Sequence, residues 1–408
     1  MSEILRRIGK VVMISALLAG VLAACGSTAT TTTTTPSGTS AGGTISIGII
    51  APLSGADAAI GAPDLQGADI AAQLANSSGG VLGKKIKIVS ADDQATGAGA
   101  VTAIRTLVGS NVNLIVGGNT TPECQALIPL LSSLKVVLAM AGCATDNLTG
   151  PGVNPWLFRT YTAGGPQIDA LMHFICKTFP GINRVDSMMP NYDYGLFQLS
   201  TVNSALKSDC GAKAGTTVLV PITATSAGSA VDTVLARRSS TARQDSVLDI
   251  SMFGPALANA VKVGAPEGLF SGYRAVFTTS GPAFTTLLPT FGSNVPATYV
   301  GGDYTYLNTG GNSAAFESAF MAKYHTEASG EAGEVFNSFN AILAAIRKAG
   351  STDASKVRTA LEGLSFTATQ PNPVTINAQT HQGNPELNFL FFRGTSVKLV
   401  GSAPYPTS

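Results

Sequence analysis

The sequence predicts an α/β protein of two domains, each built on a parallel sheet. The chain has 408 residues, of which 45% are apolar, and a single hydrophobic core usually stops growing below this length. Strand-like segments alternate with helices of about ten residues or more, which is typical of βαβ units around a parallel sheet. A net charge of +1 and a charged fraction of 12% exclude the broad basic surface that nucleic-acid binding requires.

The first residues have the pattern of an export signal. Arg6 and Arg7 precede an apolar run over residues 11–23. This run is too short to cross a hydrocarbon core of roughly 30 Å, but it has the length of the apolar segment of a signal peptide. We therefore expect residues 1–24 to be removed on export.

The apolar run ends at Leu22-Ala23-Ala24-Cys25-Gly26, which resembles the lipobox of bacterial lipoproteins. The resemblance implies that the Cys25 thiol carries a diacylglycerol and anchors the protein to the outer face of the cell membrane. The alternative is an ordinary secretory signal that happens to contain a cysteine. Residues 25–43 are almost entirely Ser, Thr, Ala, Gly and Pro, so we expect a solvated tether there.

A first series of strands and helices begins at residue 44. Ile45, Ile47 and Ile49 alternate as in a strand, and apolar residues keep helical spacing from Leu65 to Ala75. The same rules predict strands at 86–89, 114–116 and 136–140 and helices at 98–108 and 123–134.

A second series follows residue 160, and its apolar spacing predicts helices and strands in turn. The helices are expected at 167–178, 196–207, 229–238 and 256–263, and the strands at 184–188, 217–220 and 247–250. A third block, 313–324 with 335–349, is purely helical, so we expect it to return to the first sheet. Short strands are expected at 374–376, 388–392 and 397–400, which implies about three crossings between the domains.

Short segments spread over residues 44–400 together resemble the branched-chain amino acid-type, or Leu/Ile/Val-binding-like, solute-binding proteins of ABC importers. They include Ile47-Gly48-Ile49-Ile50-Ala51-Pro52-Leu53-Ser54-Gly55, Gly79-Gly80-Val81-Leu82-Gly83, Phe158-Arg159-Thr160 and Asp193-Tyr194-Gly195. The resemblance implies the type I periplasmic binding protein fold, with two doubly wound parallel-sheet lobes joined by a three-strand hinge. The lobes are expected at 44–162 with 305–371 and at 163–304 with 372–408.

Two loops at the carboxyl ends of predicted strands are the candidate binding loops. In open α/β sheets ligands bind beyond these ends, where helix N-termini offer unpaired N–H groups. The resemblance implies that the two loops, with their backbone N–H groups, hold the carboxylate and amino groups of an amino acid. The alternative for the threonines is ordinary helix capping. The candidates are Asn119, Thr120, Thr121, Cys143, Ala144 and Thr145.

The resemblance also implies ligand contacts from aromatic and apolar side chains. Tyr194 matches the family tyrosine that closes over the solute, although Asp-Tyr-Gly is otherwise an ordinary turn with a packed aromatic ring. Ile60, Phe253 and Phe336 are further candidates for the apolar wall, with core packing as the alternative.

One departure from the family pattern bears on the solute. Amino-acid binders of the family carry an acidic residue on a later loop of the second lobe, but residues 268–274 contain Arg274 and no acid. Asp303 is the nearest substitute. An amide, urea-like or carboxylate solute is therefore an alternative to an amino acid, with Arg274 either an anion partner or a solvated surface residue.

The four remaining cysteines predict disulfides, because an even set in an exported protein favours disulfides over metal binding. Three pairings are possible. Cys124 and Cys143 sit on adjacent loops, and Cys176 and Cys210 end successive helices, so we expect these two pairs. The three histidines are isolated, and no zinc-ligand spacing, metal site or cofactor is predicted.

The leading hypothesis is an exported, lipid-anchored and monomeric binding protein that passes a small solute to an ABC permease. The alternative uses the same clamp as a ligand-sensing receptor for a signalling membrane protein. An enzyme is not predicted. Residues 38–42 match G-x-S-x-G, but no strand precedes this segment, and no serine or cysteine has a base in a motif pattern.

Overall fold

The computed structural model describes residues 42–55, 58–394 and 396–405. The predicted signal peptide, Cys25 and nearly all of the predicted tether lie outside these residues. The strands are β1 Thr44–Ala51, β2 Lys85–Asp92, β3 Leu114–Gly117, β4 Val137–Met140, β5 Leu157–Phe158, β6 Arg184–Pro190, β7 Lys213–Val220, β8 Ser246–Asp249, β9 Ala275–Thr278, β10 Thr298–Gly302, β11 Ser365–Phe366, β12 Val374–Thr375, β13 Leu387–Arg393 and β14 Ser396–Ala403.

The α-helices alternate with these strands for most of the chain. They are α1 Ala58–Ser77, α2 Gly97–Gly109, α3 Thr121–Leu134, α4 Gly164–Thr178, α5 Asp193–Cys210, α6 Gly228–Arg237, α7 Ala242–Asp245, α8 Gly254–Gly264, α9 Gly281–Phe291, α10 Ser313–Tyr324, α11 Gly330–Ala349 and α12 Ala354–Leu361. In the described part of the chain, no helix is both long enough and apolar enough to span a bilayer.

The first lobe is a parallel sheet with strand order β2-β1-β3-β4-β5, covered by helices on both faces. One face packs on α1, α10, α11 and α12, where Phe336 and Ile342 join Ile47 and Val116 in one buried cluster. The other face packs on α2 and α3. The late helical block therefore returns to the first sheet, as the sequence predicts, because its apolar residues complete that core.

The second lobe is a sheet with strand order β14-β13-β10-β9-β8-β6-β7. The strands from β6 to β10 are parallel, and β13 pairs antiparallel with both β10 and β14. Together with the first lobe this confirms the predicted α/β fold class, with an antiparallel edge added. The edge is antiparallel because a turn as short as the one at Gly394 can join only antiparallel strands.

The chain passes between the two sheets three times, after β5, after β10 and after β12. Hydrogen bonds join the first and third crossings: the Arg159 N–H donates to the His381 carbonyl at 3.0 Å, and the Gly383 N–H donates to the Arg159 carbonyl at 2.7 Å. Val374 and Ile376 pack in the first lobe's core, so the expected boundary at residue 372 falls too early. We place the last crossing between Ile376 and β13.

Candidate functional site

A cavity of about 780 Å³, counting its open mouth, lies between the two lobes at the carboxyl ends of their parallel strands. The first-lobe wall is formed by α1, the loops after β3 and β4, and α11: Ile60, Asn119, Thr120, Thr121, Gly142, Ala144, Glu331 and Glu334. The second-lobe wall contains Gln167, Tyr192, Tyr194, Ile222, Phe253, Thr279, Ser280, Pro282 and Ala283. Tyr161 and Thr162, on the first crossing, lie between the two walls.

The loop after β3 is held by a carboxylate of the chain itself. Glu123 Oε2 accepts the backbone N–H of Asn119 at 2.7 Å and that of Thr120 at 3.1 Å. Pro122 has no N–H to offer. The expectation that backbone N–H groups of this loop hold a solute carboxylate is therefore wrong for Asn119 and Thr120, because Glu123 already occupies them.

The loop after β4 contributes less to the cavity than the sequence predicts. Ala144 lines it, but Thr145 lies behind, with its hydroxyl 3.3 Å from that of Thr121. Arg159 is fully buried and fixes this loop, because its Nη2 donates to the Thr145 carbonyl at 2.6 Å. Thr145 thus supports Thr121 and does not line the cavity itself.

Cys143 is a structural residue and does not line the cavity. It forms a disulfide with Cys124, with the Cα atoms 6.3 Å apart. Gly118, between them in space, has φ of 79°, and a Cβ there would lie 2.7 Å from Cys124 Sγ. Cys176 and Cys210 form the second disulfide, so both expected pairings are present in the structure.

Aromatic side chains cover much of the second-lobe wall. Tyr192 has its ring centroid 6.3 Å from that of Tyr194 and 6.1 Å from that of Phe253. Burial raises the pKa of Tyr194, so its hydroxyl stays neutral. Of the predicted wall residues, Tyr194 and Phe253 lie here and Ile60 lies opposite them. Tyr192 adjoins the predicted Asp-Tyr-Gly turn, but no sequence signal marked it.

Two predicted ligand contacts, Arg274 and Phe336, lie away from the cavity. Arg274 Nη1 donates to the Gln244 carbonyl at 2.7 Å on the outside of the second lobe, so the surface alternative describes it correctly. Phe336 is 1% exposed and packs on Phe316 within the first core, with ring centroids 4.2 Å apart. Arg274 therefore forms a surface contact, and Phe336 packs in the core.

Asp303, the substitute acid proposed from the sequence, is a hinge residue. Its carboxylate accepts the N–H and the hydroxyl of Thr162, each at 2.5 Å, and so joins the first and second crossings. Burial raises the pKa of Asp303 to about 6, although the bonds from Thr162 act in the opposite direction. It does not line the cavity.

Acidic side chains do reach the cavity, but from a helix of the first lobe. α11 begins at Gly330, with the Ser329 hydroxyl accepting the Ala332 N–H, so Glu331 and Glu334 lie in its first turns and line the cavity. The apolar spacing predicts this helix only from Val335, which leaves out both residues. The missed signal was a helix-capping serine followed by an acid in the first turn.

Burial keeps these carboxyl groups readily protonated. The pKa of Glu331 is raised to about 7, first by burial and then by the nearby Glu123 charge. The pKa of Glu334 is raised well above its ordinary value by burial and by Glu331. Asp64 lies behind them and accepts a hydrogen bond from Asn119 Nδ2 at 2.8 Å. None of the described residues that line the cavity is Lys, Arg or His.

The comparison with known families identifies the chain. A family model described as periplasmic binding protein matches residues 44–394. The chain therefore belongs to the periplasmic binding proteins. Proteins of this family bind solutes outside the cytoplasm.

Two curated relatives match part of the chain. The Leu/Ile/Val-binding protein homolog 3 of Brucella melitensis is 32% identical over 133 residues, which is 33% of this chain and 36% of that protein. The Leu/Ile/Val-binding protein BraC3 of Rhizobium johnstonii is 30% identical over 135 residues, again 36% of its length. The match thus spans about a third of the length of these curated relatives.

Solved structures match nearly the whole described chain. A leucine binding protein from Thermotoga maritima has a TM-score of 0.74 at 17% identity, covering 88% of this chain and 98% of that one. A solute binding protein of an ABC transporter from R. palustris, in complex with benzoate, has a TM-score of 0.79 at 16% identity, covering 90% and 98%. At these identities the likeness shows the type I periplasmic binding protein fold.

Proposed function

We propose that this protein captures one small polar solute in the cavity between its lobes and delivers it, chemically unchanged, to the permease of an ABC importer. The observation that carries the proposal is that one cavity is lined by both lobes, with hinge crossings at its back. A solute there touches both walls only when the lobes are closed, so binding favours the closed arrangement. That arrangement is the form we expect the permease to recognise.

The names of the similar proteins indicate a class of solute. Two are Leu/Ile/Val-binding proteins and one was solved in complex with benzoate, so the compounds named are small and each has one polar end. The cavity here combines hydroxyl groups of Thr120 and Thr121 with the rings of Tyr194 and Phe253, which suits such compounds. We propose an amino acid or another small polar solute of this size.

A thermal-shift screen of amino acids, amides, ureas, amines and small carboxylates tests the proposed function. A compound present at 100 times its dissociation constant should stabilise the fold by about 2.7 kcal/mol. We expect at least one class of compound to raise the melting temperature in a saturable way. If no compound of any class does so, or if purified protein converts one chemically, the proposal is wrong.

We also propose that Cys25 carries the lipid that holds the protein at the outer face of the cell membrane. The support is the sequence alone, a basic start, an apolar run and small residues before the cysteine. Cys25→Ser should release the protein from the membrane fraction and abolish incorporation of labelled palmitate. Unchanged membrane attachment of the variant would contradict the anchor.

A further inference from the structure

The charges of the cavity restrict the solute more narrowly than its size does. Glu331 and Glu334 line the first-lobe wall and are 7% and 5% exposed. Glu331 Oε2 has no hydrogen-bond partner in the described part of the chain, whereas nearly all buried polar atoms have one. A buried acceptor that faces a binding cavity without a partner is matched by a donor on the ligand.

Two of the N–H groups that could receive a solute carboxylate already have a partner. A helix N-terminus at the end of a parallel strand is a general anion site. Here the N-terminal loop of α3 gives its Asn119 and Thr120 N–H groups to the Glu123 carboxylate. A carboxylate in the cavity would also favour the protonated forms of Glu331 and Glu334, and no lining cation would pair with it.

The opposite wall suits a cation as well. Tyr192, Tyr194 and Phe253 all line the cavity, with the Tyr192 ring centroid 6.3 Å from that of Tyr194 and 6.1 Å from that of Phe253. Aromatic faces attract organic cations, by about 0.5 to 2 kcal/mol per contact. A cation beside Glu331 and Glu334 favours their ionised forms. The two walls therefore offer a cation carboxylate groups on one side and aromatic surface on the other.

A metal ion does not fit the same observations. Among the described residues, no group of three or more His, Cys, Asp or Glu side chains is arranged to hold a metal. Calcium and magnesium need about six oxygen ligands in a compact shell, and an aromatic wall supplies none. A nitrogen cation on a hydrocarbon frame uses both walls.

We propose that the solute is an organic cation whose nitrogen lies between Glu331 and Glu334 and whose hydrocarbon part packs against Tyr192, Tyr194 and Phe253. The solute needs no carboxylate. This inference rests on the proposed function, because it assigns a chemical class to the solute of the same cavity.

Matched compounds that differ only in charge test the inference. Isothermal titration at about pH 8 would compare leucine, 3-methylbutylamine, which lacks the carboxylate, and 4-methylpentanoate, which lacks the amine. The phenylalanine, phenethylamine and 3-phenylpropionate set would be run beside it. We expect an amine to bind at least about tenfold more tightly than the carboxylate of its set.

The outcomes separate this inference from the proposed function. Binding of the carboxylates in preference to the amines would overturn the inference and leave the proposed function standing. If no compound of either set, and none of the wider screen, binds, the proposed function is overturned and the inference with it.

A charge-removing variant gives a second, independent test. Glu331→Gln keeps the shape of the side chain and should weaken binding of the amine that wild type binds by at least about 30-fold. Glu267→Gln makes the same change at an exposed position outside the cavity and should leave affinity unchanged. Glu334→Gln repeats the test if the first variant does not fold. Unchanged amine affinity in a folded Glu331→Gln or Glu334→Gln variant would overturn the inference.

Discussion

The two walls of the cavity differ in chemistry and in the way the chain builds them. The first-lobe wall is polar and acidic, with Glu331 and Glu334 on a helix that is buried on nearly all sides. The second-lobe wall is mainly aromatic, with Tyr192, Tyr194 and Phe253 at the starts of α5 and α8. One wall supplies charge and the other supplies apolar area, so neither lobe alone offers a complete site.

This division is the physical basis of the closure that we propose. Carboxyl groups buried at the first-lobe wall are poorly solvated, and their pKa values are raised by burial. A solute that pairs with these carboxyl groups binds most tightly when the aromatic wall closes over it and excludes water from the cavity. The contrast between the walls leads to four predictions, from the largest expected effect to the smallest.

The acidic wall should make the solute-free protein less stable as the pH rises. Because folding raises the pKa of Glu331 from 4.5 to about 7, the folded state holds a proton that the unfolded chain releases. The free energy of unfolding therefore falls between about pH 4.5 and pH 7, by up to about 3 kcal/mol for this residue. Glu331→Gln should remove this loss and be the more stable protein at about pH 8, measured by urea unfolding.

Other buried acids near Glu331 also make the free energy of unfolding fall as the pH rises. The contribution of Glu331 is therefore measured as the difference between the variant and wild type. Glu334, Asp64 and Asp93 also have raised pKa values, each chiefly through burial, and Glu123 faces Glu331 from α3. The buried Arg159 lies behind the loop at Thr145 and opposes the rise for Asp303. A variant with the same pH dependence as wild type would show that Glu331 is not the titrating group.

Removing a ring from the second-lobe wall should weaken binding, and it should also lower the free energy of unfolding because the ring is buried. Tyr194→Ala deletes a buried aromatic surface at the centre of that wall, and such contacts contribute about 2 kcal/mol. We expect a loss of solute affinity of about 30-fold by titration calorimetry. Tyr194→Phe keeps the ring and should bind within about threefold of wild type. Equal affinities of all three proteins would show that the solute does not reach this wall.

The hydroxyl groups of the first-lobe wall should contribute less than either charge or aromatic area. Thr121→Val removes one hydroxyl while keeping the shape, which corresponds to about 1 kcal/mol, or about fivefold in affinity. Thr102→Val makes the same change on the exposed face of α2 and serves as the control. An effect no larger than that of the control would assign the Thr121 hydroxyl to its contact with Thr145 alone.

The smallest expected effect concerns Arg274, for which the sequence left two alternatives, an anion partner or a solvated surface residue. Arg274→Ala should leave solute affinity within about twofold of wild type, because its guanidinium binds the Gln244 carbonyl outside the cavity. A tenfold loss of solute affinity, measured by calorimetry, would favour the anion-partner alternative for Arg274. It would mean that the loop carrying Arg274 is part of the second-lobe wall.

The sequence predicted the fold well where its patterns are local. The alternation of Ile45, Ile47 and Ile49 predicted β1 correctly, because these three side chains share one face of the strand and pack in the same buried cluster. The apolar spacing also placed α10 and most of α11, whose side chains join the first core. The sequence did not predict the short buried strands β9 and β10. Neither has more than three apolar residues in a row, which is too few to distinguish a strand from a helix.

The site was predicted only in part, because contacts across the cleft leave little local signal. Tyr194, Phe253 and Thr121 were expected from the family pattern and do line the cavity. Glu331 and Glu334 were missed because α11 is buried all round and its polar residues break the expected apolar pattern. The Thr120 and Glu123 spacing is that of a capping box and would have shown that the α3 N-terminus already has a carboxylate.

A crystal structure of the protein saturated with the amine that it binds tests the central claim most directly. The account predicts electron density between the two walls, with the amine nitrogen in hydrogen-bond range of Glu331 and the hydrocarbon part against the Tyr194 ring. A solute bound outside this cavity, or one that turns a carboxylate toward Glu331, would contradict it.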